Sequence, residues 1–217
     1  MKKTTILFDF DGTVADTLPV CFHALREVFR EFDGLNLSNE EIVARFGPTE
    51  PDIIRLHLTD KERAEQGVER FLRLYDEHHP ALVPPSQPVL DMVHALKRQS
   101  LRLGIVTGKG AESLRISLRH LQLDGLFDVE ISGDDVRQPK PHPEGVLLAM
   151  ERLGSTPEET MFLGDSIADV CAGKAAGVLT AAVRWFEHVQ TQHFEVEPDL
   201  LFTAPEQVTR YIVKDGK

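Results

Sequence analysis

The residues best suited to chemistry are two aspartates separated by a single residue. Asp9 and Asp11 follow a short apolar run, residues 6–8, and precede the turn residue Gly12. In extended chain, residues two apart point to the same side, so both carboxylates are predicted to face one site. One can attack phosphorus while the other moves protons to and from oxygen. The alternative is a solvated acidic turn, although two unpaired carboxylates at a sheet edge are costly without a cation.

Further polar residues follow the later predicted strands. Thr107 and Gly108 come after the second strand, Lys140 comes after the third, and Asp165 comes after the fourth. Ligands of parallel sheets bind beyond the carboxyl ends of the strands, so these residues are predicted to form one site with the two aspartates. The Thr107 hydroxyl and the free backbone N–H groups that follow it could cradle a phosphate at a helix N-terminus.

Lys140 lies between two prolines, Pro139 and Pro141. Proline restricts its own backbone and that of the residue before it, so the ammonium group is expected to point in a fixed direction. A fixed cation can neutralise a transferring phosphoryl group. A surface lysine in a proline-rich loop is the alternative for Lys140, and an ordinary strand-to-helix loop is the alternative for Thr107.

Carboxylates and a dianionic phosphate cannot share a small space without a cation. Magnesium fits, because it takes oxygen ligands and usually engages one or two carboxylates plus substrate phosphate. Asp165 would be a further ligand, and Asp169, one helical turn later, would support it. An N-cap role for Asp165 and an exposed position for Asp169 are the alternatives. Neither the EF-hand spacing nor a zinc cluster matches the sequence.

The elements that must position these residues follow from hydrophobic periodicity. From residue 89 onward, helical and strand patterns alternate, which predicts an α/β fold with a parallel sheet and right-handed crossovers. The pattern is less clear after Gln190. The predicted strands span residues 4–10, 101–107, 127–132, 160–163 and 178–183, with an edge strand at 199–202. The predicted helices of this part span residues 89–99, 112–121, 143–153, 168–176 and 205–213.

The stretch between the first strand and residue 79 carries only helical patterns. Helices are predicted at 18–32, after the capping box that begins at Ser38, at 53–58 and at 64–75. Prolines at positions 80, 84, 85 and 88 are expected to break the last helix and to return the chain to the sheet. The sequence therefore predicts an all-helical unit followed by a stiff connection.

Composition limits the classes of partner. A net charge of −11 over 217 residues offers no basic surface for nucleic acid, so nucleic acid is not expected as a main partner. Cys21 and Cys171 are the two cysteines, which argues against a disulfide framework. The apolar run from Ile6 meets Asp9 too early for a signal or membrane segment. These features favour a cytoplasmic protein without a membrane partner.

Four segments resemble, in order and spacing, the four motifs of the haloacid dehalogenase superfamily: Asp9-Phe10-Asp11-Gly12-Thr13, Thr107, Lys140 and Gly164-Asp165-Ser166-Ile167-Ala168-Asp169. The resemblance implies a Rossmann-like α/β fold, in which a three-layer core with a parallel sheet (1–15 and 83–217) carries a helical cap inserted at 16–82. It implies Asp9 as nucleophile and Asp11 as general acid/base. Mg²⁺ would be held by Asp9, the backbone carbonyl of Asp11 and Asp165, while Thr107, Gly108 and Lys140 would bind the phosphoryl group.

The resemblance also implies a phosphatase for a small phosphorylated metabolite. Asp11 favours phosphate esters or anhydrides, because true dehalogenases usually lack the second aspartate. The subgroup most resembled contains phosphoglycolate phosphatases, small pyrophosphatases and β-phosphoglucomutases, so a phosphoglycolate-like monoester or pyrophosphate is the expected substrate. A phosphosugar mutase and a non-catalytic partner-binding protein on the same fold are the alternatives. Monomer and homodimer both stay open.

Specificity is expected to lie on the cap. Residues 45–50, with Gly47 and Pro48 between two helices, are the candidate specificity loop, because they can bring backbone near the cleft. An ordinary helix–helix turn is the alternative. Glu50 would be an awkward neighbour for an anionic substrate, and Gly108 stands where several phosphoglycolate phosphatases have Asn.

Overall fold

The computed structural model describes residues 3–188 and 195–215, so Gln190 lies outside the described residues. Its strands are β1 (Thr5–Phe8), β2 (Arg102–Val106), β3 (Val129–Ile131), β4 (Thr160–Gly164), β5 (Leu179–Val183) and β6 (Leu200–Phe202). Its α-helices are α1 (Leu18–Asp33), α2 (Asn39–Val43), α3 (Glu50–His57), α4 (Ala64–Leu82), α5 (Gln87–Arg98), α6 (Ala111–His120), α7 (Glu144–Leu153), α8 (Ile167–Ala175) and α9 (Pro205–Asp215). Short 3₁₀ turns lie at Lys61–Arg63, Gly133–Asp135 and Pro157–Glu159.

All six strands form one parallel sheet in the order β3-β2-β1-β4-β5-β6. β1 is central, with Phe8 beside Ile105 of β2 on one side and Leu163 of β4 on the other. The strands read as continuous apolar runs because helices cover both faces of a parallel sheet. The predicted α/β fold with a three-layer, Rossmann-like core is confirmed.

Successive residues of β1 supply the two faces of the sheet. Ile6 and Phe8 belong to the larger hydrophobic cluster, which includes the buried faces of α5 and α9, whereas Leu7 belongs to the cluster formed with α7 and α8. This alternation follows from the two-residue period of a strand. Burial on both faces holds β1 firmly, so the residues that follow it start from a rigid base.

Helices α1 to α4 lie between β1 and α5 in the chain, and we call them the helical insert. The predicted capping box is present, since Ser38 accepts from the Glu41 N–H and Glu41 accepts from the Ser38 N–H. The prediction that Pro80 breaks the last helix is wrong, because α4 runs through it to Leu82. Residues such as Phe71 are fully buried on α4, and this packing outweighs the local cost of proline.

The starts of the helices differ from the sequence prediction by up to three residues. α3 begins at Glu50, three residues before the predicted start, because Thr49 caps it by accepting from the Asp52 N–H. Glu50 therefore belongs to a helix and not to the preceding loop. α7 begins at Glu144, with Pro143 at the N-cap position instead of the first helical position. Within the described residues, no helix combines the length and apolar character needed to cross a membrane.

A polar contact joins α4 of the insert to α6 of the core. Tyr75 and His79 both form hydrogen bonds with the Ser117 hydroxyl, at 2.9 and 3.0 Å, and all three side chains are buried. The ring of His79 stacks on His120 with centroids 5.0 Å apart, and His120 contacts Asp76. The insert is thus attached to the core by hydrogen bonds between side chains that are buried away from water.

Stability should depend on pH through this contact. Burial, followed by His120 and Lys109, lowers the pKa of His79 to about 4, against an ordinary value of 6.5. Between these two values the unfolded chain binds more protons than the folded chain. The free energy that the contact of neutral His79 contributes to folding is therefore complete above pH 6.5 and is lost as the pH falls toward 4.

We expect His79→Gln to weaken this dependence, because Gln cannot acquire the buried charge. The measurement is the free energy of unfolding by chemical denaturation at about pH 5 and about pH 7, where one proton changes the slope by at most about 1.4 kcal/mol per pH unit. His94→Gln, at an exposed position, is the control. Equal slopes for wild type and His79→Gln would contradict the expectation.

Candidate active site

Asp9 directly follows β1 and is held entirely by core elements. Its backbone N–H donates to the Leu163 carbonyl of β4 at 2.8 Å, and its side chain is buried. Lys140 reaches it from the loop after β3, with Nζ 2.8 Å from Asp9 Oδ1 and 2.5 Å from Asp169 Oδ1. The Lys140–Pro141 peptide is cis. The predicted juxtaposition of Asp9 and Lys140 is therefore present in the fold.

The turn between β4 and α8 fixes Asp169. Ser166 is the N-cap of α8, and Asp169 Oδ2 accepts from its backbone N–H at 3.0 Å and from its hydroxyl at 2.5 Å. The two alternatives raised by the sequence are therefore wrong: Asp165 is not the N-cap, and Asp169 is only 1% exposed. Ser166 takes the cap because its hydroxyl can satisfy the orphan N–H of Asp169.

Three buried carboxylates meet beside Lys140. Asp9, Asp165 and Asp169 each offer an oxygen, and these atoms lie within 4.8 Å of one another. Burial, followed by the charge of Asp169, raises the pKa of Asp9 to about 7, although Lys140 opposes the shift. One lysine does not balance three acids. A hard divalent cation with oxygen ligands, such as Mg²⁺, fits this donor set. Asp9 and Asp165 are best placed to hold it, because Lys140 and Ser166 already engage both oxygens of Asp169.

Asp11 is oriented by different partners. Its carboxylate accepts a hydrogen bond from the Thr17 hydroxyl and lies 3.2 Å from Lys109 Nζ. Asp9 and Asp11 line the same cleft, as their spacing predicts, while Phe10 between them is buried. The side chain of Asp11 is absent from the three-carboxylate group, so a metal contact through this residue would fall to its backbone.

The sequence predicted that the loop after β2 would offer free backbone N–H groups to a phosphate, and the structure differs from this prediction. Thr107 lines the cleft, but its hydroxyl accepts from the Lys109 N–H at 3.3 Å. The Gly110 N–H donates to Glu50 Oε2 at 2.7 Å, and the Ala111 N–H donates to Asp134 at 2.7 Å. The expectation of free N–H groups at this helix N-terminus is wrong for residues 109 to 111, because carboxylates of the protein and the Thr107 hydroxyl already accept from them.

Sequence reasoning missed a buried ion pair between Lys109 and Glu50. Their charged atoms lie 2.8 Å apart, and the Lys109 side chain is fully buried. Burial alone would lower the pKa of Lys109, but the carboxylates of Asp11 and Glu50 hold it well above its ordinary range. The charge of Glu50 is therefore partly compensated by Lys109, which makes Glu50 a less awkward neighbour for an anionic substrate than the sequence suggested. The helix-start signal Thr49-Glu50-Pro51 could have placed it on α3.

One cleft of about 280 Å³ lies between core and insert, and Asp165 and Asp169 are not among the residues that line it. The candidate specificity loop contributes Gly47 and Pro48, next to Phe46. Within the described part of the chain, the cations that line the cleft are Lys109 and Lys140. The core contributes Asp9, Asp11, Thr107, Gly108, Lys109, Pro139, Lys140, Ser166 and Ala168, and the insert contributes Leu18, Cys21, Phe46, Gly47, Pro48, Glu50 and Ile53.

The close approach of Gly12 to Asp165 gives a test of the carboxylate group. Gly12 has a φ of +78°, and a Cβ added there would overlap the Asp165 carboxylate. We expect Gly12→Ala to displace Asp165 and to weaken Mg²⁺ binding, measured by calorimetry, by about 10- to 100-fold.

Gly125→Ala is the matched control for this substitution. Gly125 has a similar φ of +72° with nothing within 4 Å of an added Cβ, so it carries the backbone strain alone. An equal effect of the two substitutions on Mg²⁺ affinity would show that strain, and not displacement of Asp165, is responsible.

Comparison with known proteins agrees with this geometry. A pyrophosphatase, PpaX, from Anoxybacillus flavithermus is 35% identical over 205 residues, which is 93% of each chain. A crystal structure of a predicted phosphoglycolate phosphatase from Haemophilus somnus superposes with a TM-score of 0.84 at 20% identity, covering 97% of this chain and 98% of that one. A structure from Thermotoga maritima described as a β-phosphoglucomutase superposes with a TM-score of 0.74 at 26% identity, covering 99% of each chain.

The sequence profile of the haloacid dehalogenase-like hydrolases matches residues 6–183, from the second residue of β1 to the end of β5. This span includes all four motifs and the whole helical insert. Together with the pyrophosphatase relatives, it supports a hydrolase of phosphoric esters or anhydrides. The chain therefore belongs to the haloacid dehalogenase-like hydrolase family.

Proposed function

We propose that the protein is a Mg²⁺-dependent phosphatase that hydrolyses a small phosphorylated metabolite through an aspartyl-phosphate intermediate on Asp9. The observation that carries the proposal is the buried contact of Asp9 with Lys140, beside the carboxylates of Asp165 and Asp169 and in the same cleft as Asp11. The pyrophosphatase relatives make pyrophosphate the first substrate to test, with a phosphoglycolate-like monoester second.

The first step is transfer of the phosphoryl group to the protein. A carboxylate oxygen of Asp9 attacks phosphorus, and the bond from phosphorus to the leaving oxygen breaks. Asp11, in its protonated form, gives its proton to that oxygen as it departs. Lys140 and Thr107 stabilise the charge on the transferring group.

The second step returns the protein to its starting state. Asp11, now ionised, takes a proton from water as the water oxygen attacks the phosphorus of the aspartyl phosphate. The bond between phosphorus and the Asp9 oxygen breaks, which releases inorganic phosphate and restores the Asp9 carboxylate. The same two side chains therefore serve both steps, with Asp11 first an acid and then a base.

A bound Mg²⁺, held by Asp9, the Asp11 backbone carbonyl and Asp165, would supply charge neutralisation between the acids and the phosphate. Asp169 would support this set through its hydrogen bonds to Ser166 and Lys140. The structural basis is the excess of buried negative charge around Asp9.

We assign the helical insert, residues 16–82, as a cap over a core formed by 1–15 and 83–217. Its residues form one wall of the cleft, and the loop with Gly47 and Pro48 would contact the leaving group. A cap that closes over the substrate would exclude water from the first step. The cleft volume of about 280 Å³ supports a small substrate.

A phosphosugar mutase is the second candidate, favoured by the similarity to the Thermotoga maritima protein. A mutase must hold a second phosphate at the far end of its sugar. Among the described residues of the insert that line the cleft, none is a cation, and Glu50 is an acid already paired with Lys109. This electrostatic character favours hydrolysis over phosphoryl return to a sugar phosphate.

We also propose a cytoplasmic location, supported by two cysteines, Cys21 and Cys171, that remain thiols. The partner in this view is the small phosphorylated substrate, with nucleic acid and membrane playing no part. The protein would act as a monomer or homodimer.

Metal binding should be visible without any assay of activity. A ligand that binds only the folded protein stabilises it by mass action, so Mg²⁺ should raise the unfolding temperature of the wild type in proportion to its affinity. We expect Asp165→Asn to abolish most of this increase. Asp135→Asn removes an acid from the Ser132 capping box, which lies outside the cleft, and this variant should keep the increase in unfolding temperature with Mg²⁺. An unchanged Mg²⁺ response in Asp165→Asn would place the ion elsewhere.

Phosphate release tests the proposed reaction directly. The panel contains pyrophosphate, phosphoglycolate, sugar phosphates and an aryl phosphate, each with Mg²⁺ or with EDTA. We expect release to require the metal, to be fastest for pyrophosphate, and to fall by about 1,000-fold or more in Asp9→Asn. Conversion of a sugar phosphate to its isomer without net release would favour the mutase, and release unaffected by Asp9→Asn would remove the nucleophile assignment.

A further inference from the structure

Asp9 is held by the core alone, whereas Asp11 is held by the core and the insert together. The contacts of Asp9 with Leu163, Lys140 and Asp169 all come from the core. The contacts of Asp11 come from Thr17, which is the N-cap of α1 in the insert, and from Lys109. The orientation of Asp11 therefore depends on where the insert lies.

Lys109 is a core residue whose side chain extends into the insert. Its Nζ lies 2.8 Å from Glu50 of α3 and 4.6 Å from the ring centroid of Tyr75 of α4. The side chain has no exposed surface. If the insert moved away, Lys109 would lose both neighbours and become hydrated, and its contact with Asp11 would be one rotamer among many.

Glu50 fastens the insert to the loop that carries Lys109. One carboxylate oxygen contacts Lys109 Nζ, and the other accepts from the Gly110 N–H at the start of α6. The adjacent residue, Thr49, packs so closely on Gly133 that an added Cβ there would lie 2.5 Å from Thr49 Cγ2. Both the ion pair and the packing are satisfied only with the insert docked on the core.

We propose that Lys109 is a positioning residue for the general acid/base Asp11, and that docking of Glu50 holds Lys109 in the orientation that does this. The inference rests on the proposed phosphatase mechanism and extends it to two residues outside the four motifs. Asp11 is aligned when the insert is docked and loses alignment when the insert leaves. Lys109 takes no part in bond making.

The two chemical steps depend on Asp11 to different extents, which gives a selective test. Release of p-nitrophenol from p-nitrophenyl phosphate needs little help from an acid, because the leaving group is stable as an anion. Hydrolysis of the aspartyl phosphate still needs Asp11 as base. We therefore expect Lys109→Met to keep the first-turnover rate of p-nitrophenol release within about threefold while steady-state turnover falls about 100-fold, so that a burst appears in stopped flow.

Two further variants keep the test decisive if Lys109→Met folds poorly. Lys109→Arg retains the cation and should recover turnover to within about tenfold of the wild type. Glu50→Gln keeps Lys109 but weakens the ion pair that holds its side chain. This variant should lower steady-state turnover about tenfold and should show the same burst of p-nitrophenol as Lys109→Met. The matched controls are Lys97→Met and Glu65→Gln, which remove exposed ion pairs and should leave both rates unchanged.

The double variant Glu50→Gln/Lys109→Met tests whether the two residues act as one unit. It removes both charges of the pair and should be no slower than Lys109→Met alone, because residues that act together are not additive. If the fall in turnover of the double variant equals the product of the falls in the two single variants, the coupling between Glu50 and Lys109 is overturned. An equal fall in first-turnover and steady-state rates in Lys109→Met and Glu50→Gln would overturn the positioning role, as would full turnover in both. A wild type that releases no phosphate would instead refute the phosphatase proposal.

Discussion

Neutralisation of buried carboxylates is the constraint on which the rest of this structure depends. Two lysines do most of this work, and each bridges two acids: Lys140 contacts Asp9 and Asp169, and Lys109 contacts Asp11 and Glu50. Removing one partner of such a group leaves an uncompensated charge in a low dielectric, which costs about 3 to 5 kcal/mol. Asp165 adds a further buried acid, so the site carries more negative charge than its lysines balance. A divalent cation would offset that excess and so allow an anionic phosphate to approach the carboxylates.

The parallel sheet allows so many charges to lie close together, because rigid strands fix the positions of the acids. β1 lies between β2 and β4, so the turn after β1 meets the turns after both neighbours. The core clusters on both faces fix the strands, and the polar residues begin where the strands end. In such folds the chemistry sits at the carboxyl edge because the backbone there can turn, while the strands themselves cannot.

The helical insert completes the site with mostly apolar surface and one acid. Phe46, Leu18 and Ile53 give the cleft an apolar wall, and apolar surroundings strengthen electrostatic interactions by lowering the local dielectric. Polar contacts between the insert and the core include the Glu50 contact near the cleft and the buried hydrogen bonds between α4 and α6 further away. A movement of the insert away from the core would break these polar contacts.

The sequence by itself determined the periodic elements and the residues that stand at strand ends. The two-residue alternation in strands, the helical stripes and the turn residues predicted the parallel sheet, and the spacing of Asp9 and Asp11 placed both in one cleft. These predictions work because they depend on local periodicity and on burial of each element. Local rules failed where packing opposed them, as at Pro80, which α4 accommodates.

Only the tertiary structure decided which charges are paired. Lys109 and Glu50 are 59 positions apart, and each looks like an ordinary polar residue in its own segment. The N–H groups at the start of α6 looked available from sequence, yet Glu50 and Asp134 occupy two of them. Ion pairs and caps of this kind form between elements that no local pattern connects. The Glu50 contacts are set by how the insert docks on the core, and the Asp134 contact is set by how the loop after β3 packs on the start of α6. Both depend on the packing of the whole molecule.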